Sequence, residues 1–222
     1  MAVNGKKKRL PMDIVSGCFF KRLVVLLLVF SMTVSVTGIA DADPETLAGG
    51  IVRLEVYGAN GELLGTGSGF AMGEPAVLVT AAHVIVNMEY LTAWRDDGSL
   101  FRIDRALDAD MENDIAICLL PEDAGLIPLK AAAKLPGRGT DVTVISSQFG
   151  LTNLVTKGTL SGRWNSGNAE WLLFTAPVSG GSSGGPLFND HSEVIGIVTG
   201  TYEKGQNMNL AAPVDRALDL MK

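Results

Sequence analysis

From residue 51 onward the chain reads as short apolar or alternating runs closed by Gly, Asn, Asp or Pro, without a sustained helical period until its last stretch. Ile51-Val52-Arg53-Leu54-Glu55-Val56-Tyr57 has the alternation of a half-buried strand. Ile115-Ala116-Ile117-Cys118-Leu119-Leu120 is continuously apolar, as expected of a strand covered on both faces. The pattern predicts strands at residues 51–57, 63–72, 76–80, 90–95, 100–107 and 115–120. A second set is predicted at 142–146, 154–160, 171–175, 186–188, 193–199 and 207–211. Residues 213–221 read as a closing helix, with Pro213 at its start and Val214, Ala217, Leu218 and Met221 on one face. The expected fold class is all-β: two six-stranded antiparallel β-barrels with a short C-terminal helix. Residues 43–120 form the first barrel with its lead-in, 121–140 the connection, and 141–222 the second barrel and helix.

The amino terminus follows a different pattern. Lys6, Lys7, Lys8, Arg9, Lys21 and Arg22 precede an apolar stretch, residues 23–40, and then Asp41-Ala42-Asp43-Pro44. A positive region, an apolar region and small residues make an export signal over residues 1–42, with cleavage after Ala40 or Ala42. The alternative is an uncleaved anchor giving membrane association through residues 23–40, although Thr33, Ser35, Thr37 and Gly38 weaken its second half. Cys18 in Val15-Ser16-Gly17-Cys18 offers a third reading, lipid attachment, but there the apolar segment follows the cysteine instead of leading it. The expected location is therefore outside the cytoplasm, secreted, periplasmic or in the cell envelope. Loss of residues 1–42 removes six basic and two acidic side chains and moves the net charge from -6 to -10, which argues against nucleic acid as a partner. Cys118 alone then remains, so no intrachain disulfide can form and the core must supply the stability.

Three segments carry candidate chemistry. In Gly181-Ser182-Ser183-Gly184-Gly185-Pro186, glycines crowd around a hydroxyl that, as a nucleophile, needs a base within hydrogen-bond reach and a third group to orient that base. A Gly/Ser linker has the same composition. This run, however, lies between the apolar segments 171–178 and 194–198 and continues into Pro186-Leu187-Phe188, which a solvated tether does not need. Val79-Thr80-Ala81-Ala82-His83-Val84-Ile85 holds the candidate base, since the other histidine, His191, lies in a polar hairpin cluster. Asp114 opens the apolar run 115–120, where a carboxylate can be shielded yet paired with an imidazole N–H. A calcium loop starting at Asp108 fails, because its sixth and twelfth places hold Asn113 and Leu119. Asp108, Asp110 and Glu112 read as a solvated connection, and nothing calls for a metal or cofactor.

These residues, in the order His83, Asp114, Ser183, resemble the trypsin-like serine peptidases of chymotrypsin fold, and most closely their bacterial HtrA/DegP-type branch, from about residue 51 to 221. The resemblance implies a catalytic triad of His83, Asp114 and Ser183. It also implies an oxyanion hole at Gly181, Ser182 and Ser183, with the N–H donors on Gly181 and Ser183. HtrA-type proteins usually carry a PDZ domain after the helix at which this chain stops. The implied substrate-binding residues are Pro177 at the base of the primary pocket and Thr199, Gly200 and Thr201 on its wall. None is acidic, so a buried Lys or Arg of a substrate would lack a counter-ion, and small or medium aliphatic side chains are favoured. Ser182 stands where zymogens place an aspartate, so activity is expected without cleavage before Ile51-Val52. The implied function is endopeptidase action on polypeptide substrates, with an oligomer left open. The competing class is a catalytically latent or inactive barrel module that binds peptides or partner proteins.

Overall fold

Alternation sets the first strand. In β1 (Ile51–Tyr57) Leu54 and Val56 are buried while Arg53, Glu55 and Tyr57 are only half-covered. β1 pairs on one side with β2 (Leu63–Met72) and on the other with β4 (Tyr90–Trp94), both antiparallel. The computed structural model describes Met1 and residues 42–202 and 205–222. The export segment, the anchor reading of residues 23–40 and Cys18 lie outside the described residues. Among the described residues no helix is long and apolar enough to cross a membrane.

With β3 (Val77–Thr80), β5 (Leu100–Ile103), β6 (Ala106–Asp110) and β7 (Ile115–Leu119), the first sheet has seven strands in the order β5-β4-β1-β2-β3-β7-β6. Six were expected, because residues 100–107 read as one strand. The chain instead breaks at Asp104-Arg105: β5 alternates exposed and buried positions and pairs with β4, whereas β6 is almost wholly exposed and pairs with β7. Two residues thus link the opposite edges of the sheet, and so short a span brings the edges together and curls the sheet.

The second sheet is a closed six-stranded barrel, β10-β13-β12-β11-β8-β9. Its strands are β8 (Asp141–Gln148), β9 (Leu151–Ser166), β10 (Ala169–Phe174), β11 (Pro186–Phe188), β12 (Val194–Thr201) and β13 (Asn209–Pro213). β9 extends well beyond the expected 154–160 as an exposed ribbon paired with β8 and β10. A short helix α1 (Pro44–Ala48) precedes β1, unforeseen because five residues carry no period. The closing helix α2 (Val214–Leu220) follows Pro213 and buries Val214 and Ala217. The fold is the double barrel of chymotrypsin type, mostly strand.

Three apolar clusters organise it. One fills the first barrel around Leu54, Leu78, Leu91 and Ile103, and one the second around Val144, Leu172, Phe174 and Ile195. The third joins them, with Phe70, Val79 and Ile117 from the first sheet meeting Ile145, Phe188 and Ile197 from the second. The connection is stitched to both: Leu129 N–H donates to Ala71 O at 2.8 Å and Ala132 N–H to Val194 O at 2.9 Å. Loops from the two barrels therefore meet along one seam.

Candidate active site

His83 stands on a 3₁₀ turn, Ala82–Ile85, directly after β3. Ala81 and Ala82 are fully buried, and their small side chains let the turn press into the seam. Asp114 precedes β7 in the left-handed region, φ 55°. Its two carboxylate oxygens are both taken by His83: Oδ1 accepts the backbone N–H at 2.8 Å, and Oδ2 lies 2.7 Å from Nδ1. The second contact assigns the proton to Nδ1 and leaves Nε2 as the acceptor nitrogen. The hydrogen bond to Asp114 raises the His83 pKa above its ordinary value of 6.5, against the opposing pull of burial.

Asp110, expected to be merely solvated, anchors the turn that carries Asp114. Its Oδ1 accepts N–H bonds from Glu112 at 2.9 Å and Asn113 at 3.0 Å, and its Oδ2 accepts Asn113 Nδ2 at 2.6 Å. Burial works against the Asp110 carboxylate, but together these bonds hold its pKa below the ordinary value. An aspartate followed two and three residues later by free backbone donors was the available sequence cue. Among the described residues no group of three or more His, Cys, Asp or Glu side chains could hold a metal ion.

Ser183 lies in the loop between β10 and β11, pressed against the histidine-bearing barrel. A methyl group in place of a Gly67 hydrogen would stand 2.8 Å from Val84 Cγ1, next to His83, and 3.1 Å from Ser183 O. At Gly184, φ 85°, a methyl would fall 2.2 Å from both Ser68 O and Thr80 Oγ1. Only glycine permits that approach. The Ser183 hydroxyl donates to Thr199 O at 3.3 Å and makes no hydrogen bond with His83. The histidine–aspartate pair is thus assembled, while the serine rests on a neighbouring carbonyl. His191 lies in the β11–β12 turn, exposed.

Of the three residues expected to form the oxyanion hole, Ser182 is corrected: its N–H donates to Ser179 O at 2.9 Å. The N–H groups of Gly181 (φ 95°) and Ser183 have no acceptor among the described residues. The adjoining cavity, about 270 Å³, is lined by Val178, Ser179, Gly180, Ser182, Ser183, Val198, Gly200 and Thr201, none of them charged. Pro177 is not among them; it is exposed and its carbonyl accepts Thr156 Oγ1 at 2.8 Å, so Val178 enters instead. Thr199 also misses the lining: its hydroxyl donates to Leu210 O at 3.2 Å, and its carbonyl holds Ser183. Gly200 and Thr201 are part of the lining.

Ile51 is fully buried within a continuous chain, and Gly50 O accepts the Ala71 N–H at 2.9 Å just before it. Ser182 is buried too; its hydroxyl accepts Ser179 N–H at 3.1 Å and lies 3.1 Å from Ser146 Oγ.

The model of the trypsin-like peptidase domain matches residues 67–197, from β2, which carries Ser68, into β12. The chain belongs to the trypsin-like peptidase family. Among curated members of the wider group, serine protease HTRA1 of Xenopus tropicalis is 35% identical over 169 residues, covering 68% of this chain and 34% of that protein. Anti-sigma-I factor RsgI9 of Acetivibrio thermocellus is 28% identical over 179 residues, covering 80% of this chain and 25% of that one. The chain therefore spans about a quarter to a third of the length of these relatives. A serine endoprotease from Yersinia pestis superposes with a TM-score of 0.70 at 23% identity, over 82% of this chain and 66% of that one, and shares the fold.

Proposed function

We propose that the chain is a serine endopeptidase of HtrA-like character that hydrolyses peptide bonds through an acyl-enzyme. Ser183 Oγ attacks the scissile carbonyl as His83 Nε2 takes its proton; Asp114 holds the imidazole and balances its charge. The N–H groups of Gly181 and Ser183 receive the developing oxyanion, and His83 then returns the proton to the leaving amine. Water repeats the sequence to release the acid. The observation that carries this reading is the engagement of both Asp114 oxygens by His83 beside the serine loop. The uncharged lining of the adjoining cavity supports a preference for small or medium aliphatic side chains before the cleaved bond. The leader supports export, and with it action on unfolded or loosely structured exported polypeptides, in the envelope if residues 23–40 stay as an anchor.

Treatment with a fluorophosphonate probe tests the reading: labelling of the wild type and not of Ser183→Ala is expected. One observation favours a second reading, a latent resting state: the Ser183 hydroxyl donates to Thr199 O instead of His83. Labelling that emerges only after a peptide ligand is added identifies the latent form. Failure to label or cleave under both conditions leaves the non-catalytic binding module.

A further inference from the structure

Ser68 has no exposed surface, yet it joins the two barrels through three polar links and is tied to its own barrel by a fourth. From β2, its N–H donates to Ser183 O at 2.8 Å and its hydroxyl donates to Gly181 O at 2.8 Å. The same hydroxyl accepts Ser147 N–H from β8 at 2.9 Å, and Ser68 O accepts Thr80 Oγ1 at 2.7 Å. One residue thus holds the nucleophile loop at the two positions that flank Ser182 and own the two unclaimed N–H groups, Gly181 through its hydroxyl and Ser183 through its backbone N–H.

A planar trans peptide unit turns its C=O and N–H in opposite directions, so an anchored carbonyl sets where the N–H points. Gly180 O accepts Phe149 N–H at 3.0 Å, which turns Gly181 N–H away from the β8–β9 turn. Ser182 O accepts Gly185 N–H at 3.0 Å, which likewise fixes the direction of Ser183 N–H. The unit between these two, Gly181–Ser182, is held by Ser179 at its N–H and by the Ser68 hydroxyl at its C=O. Two adjacent glycines would otherwise let it turn cheaply.

Resting on the peptidase reading above, we propose that Ser68 is a positioning residue whose hydroxyl locks the Gly181–Ser182 peptide unit and so keeps the Gly181 and Ser183 N–H groups aimed at the oxyanion. Ser68 itself touches no reacting atom. Loss of the hydroxyl leaves Gly181 O and Ser147 N–H without their partner, and the middle unit is then held at its N–H alone, so its carbonyl end can tilt. The consequence falls on the charged tetrahedral state, not on peptide binding.

The test compares the full-length protein with Ser68→Ala, Ser68→Cys and Ser68→Thr in peptide hydrolysis and in inhibition by a peptidyl boronate. The boronate adds to Ser183 Oγ as a tetrahedral anion while His83 takes the hydroxyl proton. For Ser68→Ala we expect kcat to fall about 30-fold, less than for removal of a direct oxyanion donor. KM should stay within about twofold, and boronate affinity should weaken by the same factor as kcat. Ser68→Thr, which restores the hydroxyl, should recover most of both. Should Ser68→Ala not fold, Ser68→Cys keeps the volume with a weak hydrogen-bonding group and is expected to show the same split. Unchanged kcat and boronate affinity alongside a lowered Tm would reduce Ser68 to a structural residue and overturn the proposal. If the unsubstituted protein neither cleaves nor takes up boronate, the peptidase reading fails first and this one falls with it.

Discussion

At the scale of single residues, the pairing of His83 with Asp114 makes the pH profile informative. A base must be neutral, and the hydrogen bond from Asp114 lifts the His83 pKa above 6.5. kcat/KM should therefore fall tenfold per pH unit on the acid side of a midpoint that lies above 6.5. Asp114→Asn removes the chief cause of that lift and leaves burial, which acts in the other direction, so the midpoint should move down. The same substitution should lower kcat by about 10⁴-fold, because the imidazole loses its tautomer and orientation. An unshifted midpoint in the variant would show that Asp114 does not control the titrating group. The effect on stability has a definite sign: a histidine whose pKa is raised by folding stabilises the fold below pH 6.5, and that contribution is lost as pH rises through the folded value. Much of this scale was legible, since one histidine, one aspartate and one serine stood in marked surroundings. Pro177 lies outside the lining of the adjoining cavity, exposed and with its carbonyl bonded to Thr156 Oγ1, because counting back from Ser183 gives a position and not the path of a loop. Ser68 was invisible for a different reason: a serine between two glycines carries no sign of the contacts that a second barrel will bring to it.

Among the elements, the loops that bear the triad depend on two close approaches. Gly184→Ala combines a left-handed φ with a 2.2 Å clash against Ser68 O and Thr80 Oγ1, and neither the backbone oxygen nor the buried threonine can retreat far. Strain and overpacking together should cost about 2–5 kcal/mol in denaturant unfolding and abolish probe labelling. Asp110→Ala should cost about 2 kcal/mol, because it strips partners from the Glu112 and Asn113 N–H groups and from the Asn113 side chain. It should also lower kcat, by loosening the turn under Asp114. If Asp110→Ala unfolds with the wild type, the anchoring role is wrong. The strands themselves were readable from alternation. The break at Asp104-Arg105 was not, since two polar residues within an apolar run look like outward positions until the two flanking segments are seen on opposite edges of the sheet.

For the molecule as a whole, the question is what makes the nucleophile loop competent. In zymogens a released ammonium pairs with an aspartate beside the nucleophile, and cutting the chain is the switch. Here Ile51 is buried in an uninterrupted strand, and the corresponding position holds Ser182, whose hydroxyl is already engaged with Ser179 and Ser146. An ammonium brought to that pocket would be stripped of water without meeting an opposite charge, a loss of several kcal/mol. Order in the loop comes instead from hydrogen bonds: Phe149 N–H to Gly180 O from the same barrel, Ser68 to Gly181 O and Ser183 O across the seam, and Gly185 N–H to Ser182 O within the loop. All of them are present with the chain intact ahead of Ile51. A protein with a protease-resistant tag joined ahead of Asp43 should therefore match the untagged form in kcat/KM within about twofold. Its mass should be unchanged after the assay, which shows that no cut at Gly50-Ile51 produced the activity. Inactivity of the tagged form, relieved when a site-specific protease exposes Ile51, would mean that this barrel pair is switched by its amino terminus after all.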